Sequence, residues 1–154
     1  MGRRRQAREL ALQALYFLDT RPDDPEEALA LFHRNFTPPR KVRDFMDHLV
    51  QGVIARREGI DDIIERFSEH WKIFRMPRVD RNIIRMAVYE MLWQADIPFS
   101  VSINEAIDLG KKYGSDDSGA FINGILDRIR KALESGEIPP PHAGAESARE
   151  REKG

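Results

Sequence analysis

Four arginines, Arg3, Arg4, Arg5 and Arg8, come before the first acidic residue of the chain, Glu9, and theirs is the chemistry easiest to name. A guanidinium is a permanent cation whose planar fork of donors suits phosphate oxygens. Residues three and four apart stack along one face of a helix, so Arg5, Arg8, Leu12 and Tyr16 share a flank, with Gln13 beside Tyr16. Cations that hold phosphates, next to a ring on which an unpaired base can stack, are what single-stranded nucleic acid asks of a protein. A solvated helix start with a boundary tyrosine is the plainer alternative, and these residues alone leave it open.

Other reactive groupings are weak. His33, His48, His70 and His142 are dispersed, and none forms the i, i+4 pair with a nearby carboxylate that a helical metal site needs. Asp44, Asp47 and His48 cluster, but Phe45, Met46 and Leu49 define the apolar stripe there, which sends the polar three toward solvent. Gly52 and Gly59 belong to no phosphate-cradling loop, and no nucleophile-elbow sequence occurs. The expectation is no catalytic residue, no metal and no cofactor.

The elements that must position the arginines read as helices throughout, with no convincing alternation of polar and apolar residues, so the fold class is all-α. From about Arg4 to Asp19 the apolar stripe is Ala7, Leu10, Ala11, Ala14, Phe17 and Leu18. Asp24 caps a second helix starting at Pro25, a favoured first helical position, and Thr37-Pro38-Pro39 ends it. A third helix runs from about Arg40 to Arg57 and a shorter one from about Ile60 to Glu69. Trp71 to Pro77 is an irregular, bulky connector expected to pack between sub-bundles.

From Val79 to Gln94 the apolar positions leave only a narrow polar strip, formed by Arg81, Asn82, Arg85 and Tyr89, which predicts a central helix. Ser102-Ile103-Asn104-Glu105 fits a capping box and predicts a helix start there, with Gly114 supplying a left-handed stop after Lys111 and Lys112. Asp116 and Asp117 suit the start of the last helix, where carboxylates complement exposed amides. That helix carries Ile122, Ile125, Leu126, Ile129 and Leu133 and ends near Gly136. Gly124 inside it implies a closely approaching backbone.

Hydrophobic residues are 41% and charged residues 33% of 154, with a formal net charge of -1, ordinary for a water-soluble domain and too polar for a membrane span. Without cysteine there is neither disulfide nor thiolate metal site, and a cytoplasmic setting is expected. One domain over 1–136 is expected, with sub-bundles at about 1–57 and 58–136, followed by a tail at 137–154. The tail holds three consecutive prolines and then small and charged residues, which predicts disorder.

Two stretches are specific enough to carry a resemblance. One is Arg3-Arg4-Arg5-Gln6-Ala7-Arg8-Glu9 with Gln13-Ala14-Leu15-Tyr16; the other is Ile103-Asn104-Glu105-Ala106-Ile107 with Phe121-Ile122-Asn123-Gly124-Ile125-Leu126-Asp127. Both resemble the NusB family, as do Val79-Asp80-Arg81 and Arg85-Met86-Ala87-Val88-Tyr89-Glu90 between them, over residues 1 to about 134. The resemblance implies a seven-helix fold of two packed sub-bundles without catalytic activity. It also implies binding to boxA RNA of nascent ribosomal RNA transcripts together with the ribosomal protein NusE, in an antitermination complex with NusA, NusG and RNA polymerase. By position it places Arg3, Arg4, Arg5, Arg8, Gln13, Tyr16, Asp117, Ser118 and Phe121 on the RNA surface and Asp80, Arg85 and Tyr89 on the partner surface. Ala120 stands where the family often has lysine, removing one phosphate contact. The RNA-recognition domain of a ribosomal RNA cytosine methyltransferase is similar too, but no glycine-rich strand-to-helix loop, catalytic cysteine or parallel-sheet pattern accompanies it here.

Overall fold

A computed structural model describes residues 2–21, 24–69 and 71–139. They form α1 (Gly2–Asp19), α2 (Pro25–Asn35), α3 (Arg40–Ala55), α4 (Arg57–Phe67), a single 3-10 turn (Ile73–Arg75), α5 (Arg78–Trp93), α6 (Phe99–Tyr113) and α7 (Ser118–Glu134), with no strand among the described residues. His70, His142 and nearly all of the predicted tail lie outside them. Ile138 is an exception: it is buried, and its amide donates to the Ala132 carbonyl at 3.1 Å while Gly136 takes φ 82°. The helix therefore ends near Gly136 as expected, and through that left-handed glycine the chain turns back and returns one more apolar residue to the core.

α5 is the axis. Every residue from Asn82 to Leu92 is buried, because α1, α3, α4, α6 and α7 all pack against it. Around it α1 packs on α2 and α3, and α6 on α7, and a single hydrophobic cluster runs through both groups. α3 and α4 meet at Arg56, whose φ of -117° and ψ of 18° break what is otherwise one helical path.

Local signals were followed where tertiary partners did not compete. Asp24 caps α2 by accepting the Glu26 amide at 3.1 Å, ahead of Pro25 in the first turn. The capping box at Ser102 is not used: α6 starts at Phe99 after Pro98, and the Ser102 hydroxyl donates instead to Glu90 at 2.9 Å. Gly114 is extended (φ -94°, ψ -159°) rather than left-handed, and a side chain there would strike Ser118. Nothing but the Arg128 guanidinium, 3.8 Å from a notional Cβ, approaches Gly124, so no close backbone explains that glycine.

On α1 the buried residues are Ala7, Arg8, Ala11, Leu12, Ala14 and Leu15, whereas Leu10, Phe17 and Leu18 are only partly covered. Covered by both α3 and α5, the helix buries a wider face than its apolar stripe, rotated toward Arg8 and Leu12. In the polar cluster on α3, Asp44 and His48 are exposed as expected and Asp47 is half-buried; His33 of α2 lies 2.6 Å from Asp47, and His48 lies 3.1 Å from the Tyr89 hydroxyl.

Gly52 of α3 sits against the Tyr89 ring of α5. A Cβ there would overlap the Tyr89 ring, which is buried, stacked on Trp93 at 5.9 Å and tied to His48 and Gln94. Overpacking costs about 1 to 3 kcal/mol and alanine's better helix propensity returns at most about 1, so Gly52→Ala is expected to lose about 1 to 2 kcal/mol. Urea unfolding checks this; a gain in stability would show that the ring has room to move.

Candidate nucleic-acid interface

The first turn of α1 presents Arg3, Arg4 and Arg5 to solvent. Arg4 lies over the Phe45 ring, 4.7 Å from its centroid, and 3.4 Å from Asp96. Arg5 forks onto Glu105 at 2.9 and 3.1 Å and reaches Asp108 at 3.3 Å, which fixes α1 to α6. The hydrogen bond to Glu105, followed by its charge, raises the already high pKa of Arg5. Exposed pairs of this kind contribute little to stability.

One turn on, Glu9 accepts from Lys112 and from the Tyr113 hydroxyl, each at 3.0 Å. The pKa of Lys112 is raised by that bond, and that of Tyr113 by burial and then by Glu9, so both protons stay in place at neutral pH. These contacts set the middle of α1 against the end of α6 and the loop that leads to α7. Gln13 is exposed further along α1, and Tyr16 is 43% exposed, unusual for a large aromatic.

Arg8 is a correction to the sequence reading. Its side chain is 5% exposed, and its Nε and Nη2 donate to Glu90 at 2.9 and 2.7 Å. The arginine is an internal strut between α1 and α5, with its Nε and Nη2 donors committed to Glu90. Ser118 is likewise buried, donating to Asp80 at 2.7 Å and accepting the Ser115 amide at 2.9 Å. Asp117 is exposed and makes no side-chain cap bond, so the capping role expected for it is absent. Phe121 is half-buried with its ring edge-on to Trp71 at 5.7 Å.

Asp80, Arg85 and Tyr89, expected on a partner surface, are all buried. Asp80 holds Ser118, Arg85 forks onto Asp61 at 2.8 and 3.0 Å, and Tyr89 bonds within the His48–Gln94 group. They are positioning residues that lock α5 to α7, α4 and α3. Sequence reasoning missed Asp19, Glu9, Lys112 and Tyr113, whose partners lie far away in the chain. It also placed Trp71 and Phe74 inside, where the structure exposes both. A groove of about 1010 Å³ opens elsewhere, between α2 and α3, and no cluster able to hold a metal occurs among the described residues.

Residues 5–131 match the model of the NusB family. The chain belongs to that family. The transcription antitermination protein NusB of Desulforapulum autotrophicum is 55% identical over 141 residues, spanning 89% of this chain and 99% of that one. That of Anaeromyxobacter dehalogenans is 48% identical over 144 residues, spanning 93% and 97%. Among solved structures, T. maritima NusB superposes with a TM-score of 0.74 at 39% identity over 83% of this chain and 90% of the other. A structure of antitermination factors NusB and NusE in complex with dsRNA gives 0.74 at 31% identity, over 86% and 99%. The seven-helix, all-α NusB fold is thus shared, and no helix of the described residues is long and apolar enough to cross a membrane.

Proposed function

We propose that this chain is a non-catalytic, cytoplasmic transcription antitermination factor that binds single-stranded boxA-like RNA of nascent ribosomal RNA transcripts together with a NusE-type ribosomal protein. In that role it joins NusA, NusG and RNA polymerase. The names of its relatives support antitermination, and the neighbour solved with NusE and dsRNA supports RNA and a NusE-type protein as partners. The observation that carries it to particular residues is the exposed Tyr16 ring on the same helix as the solvent-facing Arg3, Arg4 and Arg5. A free ring face serves an unpaired base better than a duplex, whose bases are already stacked. Titrating labelled boxA-like RNA, a scrambled RNA and a duplex, each with and without the NusE-type protein, tests ligand, strandedness and partner together. Equal binding to boxA-like and scrambled RNA would remove the specific reading.

Replacing Arg3, Arg4 and Arg5 with glutamine is expected to weaken binding and to lower its salt dependence by about 0.7 for each phosphate that is no longer neutralised. Tyr16→Ala is expected to lose about 1 to 3 kcal/mol of binding, and Tyr16→Phe far less, because the ring face survives. Unchanged melting temperatures in these variants separate binding from folding. If Tyr16→Ala instead loses stability and keeps its affinity, the ring serves the core.

With no cap bond to lose, Asp117 presents a bare carboxylate beside this surface. Asp117→Asn is expected to tighten RNA binding most at low salt, where the repulsion it removes is least screened. Affinity that is unchanged or weaker at low salt would dismiss that repulsion.

A further inference from the structure

The connector between α4 and α5 leaves two large rings substantially exposed, Trp71 in edge contact with Phe121 and Phe74 with the Arg75 guanidinium 5.7 Å from its centroid. Trp71 is 49% exposed and Phe74 is 68% exposed, and Lys72, Arg75 and Arg78 beside them are exposed as well. No carboxylate occurs from Trp71 to Val79. The nearby acids are engaged: Glu65 accepts the Ile73 amide at 3.0 Å, and Glu69 lies 3.8 Å from Arg128.

The backbone that carries the rings is anchored. The Ser68 hydroxyl donates to the Trp71 carbonyl at 2.6 Å, Met76 is buried, and Ile73 packs against the core, so the segment is anchored between its exposed side chains. Trp71 meets Phe121 edge-on, which joins the connector to the start of α7 and to the surface proposed above for RNA.

From this arrangement we infer that Trp71–Arg78 is a second stacking platform that carries single-stranded RNA beyond Phe121, with Trp71 and Phe74 taking bases and Lys72 and Arg75 taking phosphates. This rests on the RNA reading of the α1 surface and extends it. Interleaved rings and cations suit a polyanion with π-faces, because stacking is tolerant of sequence and each cation meets a phosphate. A purely apolar protein contact would gain nothing from three exposed cations in eight residues.

The probes are a boxA-like RNA and the same RNA extended on both sides by unpaired uridines. The chain has two tryptophans, so Trp93→Phe leaves Trp71 as the only one, and the extended RNA is expected to quench its fluorescence more than the short RNA does. Phe74→Ala is expected to weaken binding of the extended RNA roughly 5- to 150-fold, with Phe74→Tyr close to wild type. Lys72→Gln and Arg75→Gln should each lower the salt slope by about 0.7. With a ring this exposed, melting temperature should not change. Wild-type affinity of Phe74→Ala for the extended RNA overturns the inference. So does a loss confined to binding of the NusE-type protein, which would make the patch a protein contact. In either case Tyr16→Ala would still weaken the short RNA; if neither RNA binds at all, the RNA reading itself has failed.

Discussion

Replacing Arg8 with alanine is expected to lower the free energy of unfolding by about 3 to 5 kcal/mol. The change leaves Glu90, 2% exposed, with the Ser102 hydroxyl as its remaining hydrogen-bond partner, and a carboxylate so deep in α5 has no route to water. The cost is that of the stranded charge rather than the worth of the pair, since removing both charges removes the problem. Arg8→Met combined with Glu90→Leu is therefore expected to recover most of the loss, short of the bond owed to Ser102. Urea denaturation of the two single variants and the double variant gives the coupling. Small, additive losses would mean that water or another cation reaches Glu90. RNA binding by the folded fraction of Arg8→Met separates the strut from a phosphate contact: unchanged intrinsic affinity fits the buried pair, and a lower salt slope would return Arg8 to the RNA surface.

Arg8 also shows where sequence stops being legible. Its spacing from Arg5 and Tyr16 is correct for one flank of a helix, but which flank is covered depends on α3 and α5, and its partner lies 82 positions away. Apolar periodicity locates α5 because that helix is covered on nearly all sides. It cannot reveal that Asp80, Arg85 and Glu90 are inside as well, since charged residues enter a core only through partners that other elements supply. Asp24 was readable because its cap and Pro25 are neighbours. Ser102 was not, because the local box competed with Glu90 of another helix and lost. The family resemblance supplied the RNA and its partner protein, which no pattern of burial could. The exposed connector went unseen because bulky residues between helices ordinarily pack.

Asp19 is the second residue whose loss should be large. At the end of α1 its carboxylate is buried and accepts from Asn82 at 2.8 Å and Arg81 at 3.2 Å, with Arg57 at 3.5 Å and Arg85 at 4.0 Å. Four groups from α4 and α5 thus converge on one anion. Asp19→Ala removes the acceptor of the buried Asn82 amide and the carboxylate that faces Arg81, while Arg85 keeps its fork onto Asp61. An unsatisfied buried amide costs about 1 to 3 kcal/mol, and leaving the largely buried Arg81 without its carboxylate adds more, so a loss of about 3 to 5 kcal/mol is expected. For a chain of this size that lowers Tm by roughly 6 to 20 °C. Asp19→Asn should lose less, because its carbonyl still accepts from Asn82, yet the charge is gone and its own amide faces guanidinium groups. The deficit should persist at high salt, which screens exposed pairs but not buried ones. Because Asp19 lies one turn beyond Tyr16, the folded Asp19→Ala protein should also bind RNA less well as the end of α1 loosens. Calorimetry across a salt series decides the case: a loss under about 1 kcal/mol, or one that salt abolishes, would mean that solvent enters the cluster and Asp19 is a surface partner.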